Sequence, residues 1–164
     1  MQIRICLAKE RTCGRTTIEG TWLTLPVSRD ELEQAMQRIE DNDTKCLIVD
    51  FDAPFIIDRY DDVFAINDAA AVLGQYDYRL VYALCGCTEG VDQVIHILKG
   101  GHYVVYYDVG SLRDVADELV RLGYYGCVPA GITRFIDYDK MVAELEEAGW
   151  HMQYEIRVAV LPLL

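Results

Sequence analysis

The sequence predicts a mixed α+β protein divided into three small lobes, and three patterns carry that expectation. Residues 1–60 alternate strand-like runs with one well-capped amphipathic segment, which makes an N-terminal ββαβ lobe. Residues 61–101 are helical in character and rich in alanine near their start, and residues 102–164 return to strands and helices in a C-terminal α+β lobe.

In the first lobe Ile3, Ile5 and Leu7 alternate with Arg4 and Cys6, the pattern of a half-buried strand. A Gly14-Arg15 turn leads into a second strand from Thr16 to Leu25, which Pro26 stops. Ser28 followed by Glu31 reads as a capping box. A helix is therefore expected to reach Ile39 and to bury Leu32, Ala35, Met36 and Ile39. After the Asp41-Asn42-Asp43 loop, Lys45 to Phe51 is a third strand.

The middle lobe holds three short helices: Val63 to Leu73 capped by Gly74, Tyr78 to Leu84, and Val91 to Leu98 before Gly100-Gly101. Helices this short are unstable alone and must pack on something. In the last lobe His102 to Asp108 is a tyrosine-rich strand. Ser111 caps a helix running to Leu122, with Asp114 in the first turn, where the helix dipole favours a carboxylate. A loop around Pro129 leads to a helix from Asp139 to Ala148, and Tyr154 to Leu161 closes the chain as a strand.

Charge is the feature that limits function. The 164 residues carry 27 acids against 15 bases, a formal charge of −12. Such a balance argues against nucleic acid or an anionic membrane as the direct partner and favours a basic one. Residues 40–62 hold eight acids against two bases, and residues 108–147 hold nine against four. The first cluster (Asp41, Asp43, Asp50, Asp52, Asp58, Asp61 and Asp62) is interleaved with Leu47, Ile48, Val49, Phe51, Phe55, Ile56 and Ile57. Disordered acidic tails lack such apolar residues, so these carboxylates are expected on an ordered frame. Ordinary acidic surface is the competing reading.

Six cysteines and no long apolar N-terminal segment predict free thiols and a cytoplasmic protein. No apolar run reaches the roughly 18 residues of a membrane span. Cys85-Gly86-Cys87 with His96 and Cys127 invites a zinc reading, but structural sites prefer Cys-x₂₋₄-Cys with a second pair, so no metal is expected. His96, His102 and His151 stand beside no nucleophile motif, and neither a phosphate-binding glycine loop nor a hydrolase signature occurs. Neither catalytic residues nor a cofactor are expected.

Three segments resemble the ArdA-type antirestriction family. Gly20-Thr21-Trp22-Leu23-Thr24-Leu25-Pro26 is similar to its Gly-x-Trp-Leu-x-Leu-Pro segment. Leu47-Ile48-Val49-Asp50-Phe51-Asp52-Ala53-Pro54 is similar to its strand ending in an acidic-aromatic pair. Val128-Pro129 followed by Phe135-Ile136-Asp137-Tyr138-Asp139 is similar to its Pro and Tyr-Ile-Asp-Tyr segment. The first turn departs from the family: Lys9-Glu10-Arg11-Thr12-Cys13-Gly14 stands where a Tyr-Asn-x-Gly stretch is usual, which leaves the part played by the N-terminal tip open.

The resemblance implies an elongated, three-lobed homodimer that imitates B-form DNA. It implies that such a protein occupies the DNA-binding groove of type I restriction-modification enzymes and is carried on mobile genetic elements. The alternative is an acidic regulatory protein that binds a basic partner without imitating DNA.

Spacing is compatible with mimicry. Residues i and i+2 of a strand share a face at roughly 6.5–7 Å, which suits Asp50 and Asp52, and Asp137 and Asp139 if extended. Helical neighbours three or four apart lie roughly 5–6 Å from each other, which suits Asp114, Asp117 and Glu118, and also Glu144 and Glu147. A solvated helix face supporting Arg113 and Arg121 has the same spacing. The strand containing Tyr103, Val105, Tyr106 and Tyr107 lacks charge, which suits either a subunit interface or the packing of a buried strand.

Overall fold

The computed structural model describes residues 2–9, 20–40 and 45–163. The described residues form six α-helices and two three-stranded antiparallel sheets, so the protein is mixed α+β. Its contacts separate two compact units: Met1–Tyr78 with Gly90–Ile95, and Arg79–Glu89 with His96–Leu164.

The first unit is built on β1 (Ile3–Lys9), β2 (Thr21–Leu25) and β3 (Cys46–Asp52), ordered β2-β1-β3. Ile3, Ile5 and Leu7 are buried on one face, opposite Leu25, Leu23 and Thr21 of β2. The β1–β3 register shifts between Cys6 and Leu7, so Leu7 faces Ile48 while Cys6 faces Asp50. Val49 is the extra residue. This bulge lets Ile48 and Phe51, three apart, both serve the core face, and it turns Asp50 and Asp52 together to the other. The Gly14-Arg15 turn and the first residues of the expected second strand lie outside the described residues.

Helix α1 (Arg29–Ile39) begins where the capping signal places it: the Ser28 side chain accepts from the Glu31 N–H at 3.2 Å. It buries Leu32, Ala35 and Ile39, while Met36 is half-buried at the edge of that stripe. Helix α2 (Val63–Leu73) is fastened by a residue that hydrophobic periodicity does not reveal. Asn67 is buried, donates to the Val27 carbonyl at 3.0 Å and accepts from the Val27 N–H at 2.9 Å. One amide side chain thus satisfies both backbone groups of the β2–α1 connection.

Helix α3 (Tyr78–Cys85) belongs, after its first residue, to the second unit, and α4 (Val91–Gly100) starts in the first unit and ends in the second. The stop at Leu98 expected from the glycine pair comes two residues late, because Gly101 rather than Gly100 adopts the left-handed conformation (φ 66°). The chain continues through β4 (Tyr103–Tyr107), α5 (Leu112–Arg121), a 3₁₀ turn at Thr133–Phe135, α6 (Tyr138–Glu147), β5 (His151–Gln153) and β6 (Val158–Pro162).

The closing strand expected from Tyr154 to Leu161 is instead a hairpin of β5 and β6. Residues 154–157 form its turn, with Arg157 left-handed at φ 54° and its N–H donating to the Tyr154 carbonyl at 3.3 Å. The sheet order is β4-β6-β5. Central β6 is covered on both faces, since Val158, Ala159 and Val160 are all fully buried. Ala159 packs with Leu112, Val115 and Leu119 of α5, Leu145 of α6 and Trp150. On the opposite face the Arg79 guanidinium of α3 lies 4.8 Å from the Tyr107 ring centre.

Candidate functional site

The acidic residues singled out by sequence are all charged-group candidates, but the fold holds them in different ways. Asp41 and Asp43 lie outside the described residues. Asp50 and Asp52 are exposed on the outer face of β3 and aligned opposite Cys6 and Arg4 of β1. Asp50 Oδ1 accepts from the Phe51 N–H at 2.8 Å, a bond that orients the carboxylate while occupying a donor of this edge strand. Burial raises the Cys6 thiol above its usual pKa, and the nearby Asp50 charge adds to that. Cys6 is covered in turn by Gly20, where a Cβ would stand 2.3 Å from the sulfur.

After β3 the acids organise the backbone. Asp58 accepts from the Tyr60 N–H at 3.0 Å, Asp61 accepts from the Asp58 N–H at 2.7 Å, and Asp62 caps α2 by accepting from the Phe64 N–H at 2.9 Å. All three are exposed. Each carboxylate is thereby tied to a turn or helix end with its charge facing solvent.

The second unit repeats this device on its helices. One oxygen of Asp114 accepts from the Gly110 and Ser111 N–H groups at 2.6 and 3.0 Å, closing the first turn of α5. Asp137 is the N-cap of α6, accepting from the Lys140 N–H at 3.2 Å, and Asp139 stands inside the first turn. They are therefore not two residues of a strand: the helix starts at Tyr138 and takes Asp137 as its cap. Asp117 accepts from the Tyr138 hydroxyl at 2.7 Å, a bond that raises the phenol pKa and ties α5 to α6. Arg113 lies over the Tyr138 ring, 5.0 Å from its centre.

Glu118 differs from the rest. It receives both Nε and Nη2 of Arg121, the former at 2.7 Å, and these bonds hold its carboxyl below the usual range. Asp52, Asp139, Glu144 and Glu147 are exposed, and among the described residues none of them enters an ion pair within 4.0 Å.

Of the tyrosine-rich strand, Tyr103, Val105 and Tyr107 point to the α3 side of the sheet, whereas Tyr106 points to the other and packs on Trp150, ring centres 5.7 Å apart. Among the described residues β4 pairs along one edge only, with β6. Beside it lies an apolar groove of about 390 Å³ between α5 and α6, lined by Val104, Tyr106, Leu122, Tyr124, Tyr125 and Trp150 among others. Leu122, Tyr124 and Tyr125 are exposed. The groove is not legible in the sequence, because it forms only when two helices separated by the Pro129 loop meet.

Cys85 and Cys87 are half-buried free thiols, pushed up to about 12 and about 11 by burial, with each other's charge adding for Cys85. His96 packs edge-on against His102, ring centres 5.9 Å apart. Among the described residues no three His, Cys, Asp or Glu side chains gather as a metal site.

Many of the exposed carboxylates of this protein are thus fixed by short local bonds, among them those of Asp50, Asp58, Asp61, Asp62, Asp114 and Asp137. A family-wide profile described as "Antirestriction protein (ArdA)" matches residues 14–155. The chain belongs to the ArdA antirestriction family. No curated protein matches it. ArdA membership implies an antirestriction function, with restriction-modification enzymes as the partners. Among the described residues no helix is long and apolar enough to cross a membrane.

Proposed function

We propose that this ArdA protein blocks type I restriction-modification enzymes by occupying their DNA-binding groove with carboxylates that stand in for phosphates. The observation that carries the proposal is the outer face of β3, where Asp50 and Asp52 are exposed at strand spacing and, among the described residues, enter no ion pair. A basic groove selects for fixed negative charge at intervals close to the phosphate path, and strand residues two apart lie at roughly 6.5–7 Å. Mobile carboxylates would lose conformational entropy on binding, and the backbone bonds to Asp50, Asp58, Asp61, Asp62, Asp114 and Asp137 reduce that loss. Glu118 contributes least, because Arg121 already neutralises it.

The protein acts as a homodimer joined through the uncharged β4 edge and the groove beside it, with no catalytic step. Inhibition is electrostatic, so its strength falls as salt rises.

The decisive experiment measures DNA cleavage by a type I enzyme against increasing inhibitor. Wild-type protein stops cleavage, and the Asp50→Asn, Asp52→Asn double variant requires more protein to do so. Equal potency of the two proteins removes β3 from the mechanism. An acidic regulator aimed at some other basic protein would leave cleavage untouched at every concentration.

A further inference from the structure

The geometry points to Trp22 as a positioning residue that holds Arg4 away from Asp52, the carboxylate opposite it on β3, and so keeps Arg4 from neutralising that acid. Arg4 is aligned directly opposite Asp52 in the β1–β3 ladder, and Cys6 opposite Asp50. Directly opposed cross-strand side chains on one face start roughly 4.5–5.5 Å apart at Cβ, so an arginine has ample reach to bind its neighbouring carboxylate. It does not do so. Its guanidinium carbon lies 4.9 Å from the centre of the Trp22 ring, on the opposite side of β1 from Asp52.

The register explains why the ring is available. Trp22 faces Cys6 across the β1–β2 ladder and Thr24 faces Arg4, so Trp22 is the diagonal neighbour of Arg4 on the same face. Cys6, opposite Trp22 in the ladder, is small, and Gly20 lies against its sulfur, where a Cβ would stand 2.3 Å away. Trp22 is 42% exposed, so this large ring is not spent on core packing. An exposed cation–π contact and an exposed ion pair are of comparable strength. Removing the ring therefore tips Arg4 towards Asp52, and the Asp52 carboxylate is then paired within the protein instead of being presented to a phosphate-binding groove.

This inference rests on the proposed mimicry for its functional arm, and a second arm is independent of it. In the first arm, Trp22→Leu weakens inhibition of type I cleavage about three- to tenfold, the size of one lost exposed charge contact. Trp22→Tyr restores most of the potency, because the phenol ring also accepts a cation. In the Arg4→Gln background the Trp22→Leu change has less than about a 1.5-fold effect, since no cation is left to redirect; a purely structural tryptophan would cost the same in both backgrounds. An equal loss in the two backgrounds overturns the inference. If Asp50→Asn with Asp52→Asn leaves inhibition unchanged, mimicry at β3 is what fails.

The second arm reads the side chains by NMR. The Arg4 δ-methylene protons show an upfield ring-current shift in the wild-type protein. In Trp22→Leu that shift disappears and contacts between Arg4 and Asp52 emerge. Arg4 resonances that do not respond to Trp22→Leu overturn the inference whatever the cleavage assay gives. Far-UV circular dichroism of each variant confirms that the sheet is intact.

Discussion

Strands β3 and β4 are both edge strands of three-stranded antiparallel sheets, yet they solve the edge in opposite ways. Strand β3 carries Asp50 and Asp52 outward and folds the Asp50 carboxylate back on the Phe51 N–H. Strand β4, Tyr-Val-Val-Tyr-Tyr, carries no charge and borders an apolar groove. Charged edges repel other strands, whereas uncharged edges invite them. Under the function proposed above, the difference gives the two edges separate tasks: the first unit would offer its edge to a basic surface, the second to another apolar one. The same contrast extends to where the acids are found. Central β6 of the second unit is buried on both faces and carries no charge, and the carboxylates of that unit singled out above lie on α5, on α6 and at the N-cap of α6.

The strongest way to break this comparison is to charge the uncharged edge. Val104→Lys, at the exposed position of β4, is expected to convert a dimer to a monomer in sedimentation, at a cost of about 3 kcal/mol from like charges meeting across the symmetric contact. A variant that stays dimeric would move the interface off β4. Next in size is the discharge of the charged edge. The Asp50→Asn, Asp52→Asn protein is expected to lose about tenfold to a hundredfold in inhibition, on the basis of about 1.5 kcal/mol for each charged hydrogen bond with incomplete additivity.

A smaller effect separates charge from scaffold. Asp62 and Asp137 are N-caps, and asparagine caps a helix as well as aspartate does. Asp62→Asn and Asp137→Asn should therefore keep the melting temperature within about a degree and still weaken inhibition. The alanine variants cost about 1 kcal/mol, or roughly 2–4 °C, by calorimetry. Loss of inhibition only with alanine would make these acids structural.

A separate effect appears only at alkaline pH. Burial pushes the Cys85 thiol up to about 12 and the Cys46 and Cys87 thiols to about 11, against 9.0 in the unfolded chain. Between these values the unfolded chain releases protons that the folded protein retains, so stability falls as pH rises from 9.0 towards 12, with no contribution below that window. The melting temperature of Cys85→Ala should decline less steeply than that of the wild type across the same range.

Much of the local structure was legible in the residues. Ser28 before the first long helix and Val63 to Leu73 each act through neighbours within a few positions; the second helix forms as expected, and of the Ser28–Glu31 capping box the Ser28 half is present. Asn67 was not legible, because its partner is Val27, forty positions away. Nor was the closing hairpin, since Tyr154 to Arg157 contain no glycine, proline, asparagine or aspartate to announce a turn. The acid roles divide along the same line. The sequence shows how many carboxylates there are and where they cluster, but not that Asp114 closes a helix turn or that Arg121 neutralises Glu118.

What the chain alone determined was composition and local preference: the strongly acidic balance, the placement of most helices and strands, and the motifs shared with the ArdA family, all set by residues near one another. Tertiary structure decided what each carboxylate faces. The bulge at Val49 turns Asp50 and Asp52 to one side, and strand pairing puts Arg4 opposite Asp52 with Trp22 beside it. Those relations depend on the register between strands that are distant in sequence. A one-residue slip would turn every side chain of β3 to the other face, so the register fixes how the acids are presented.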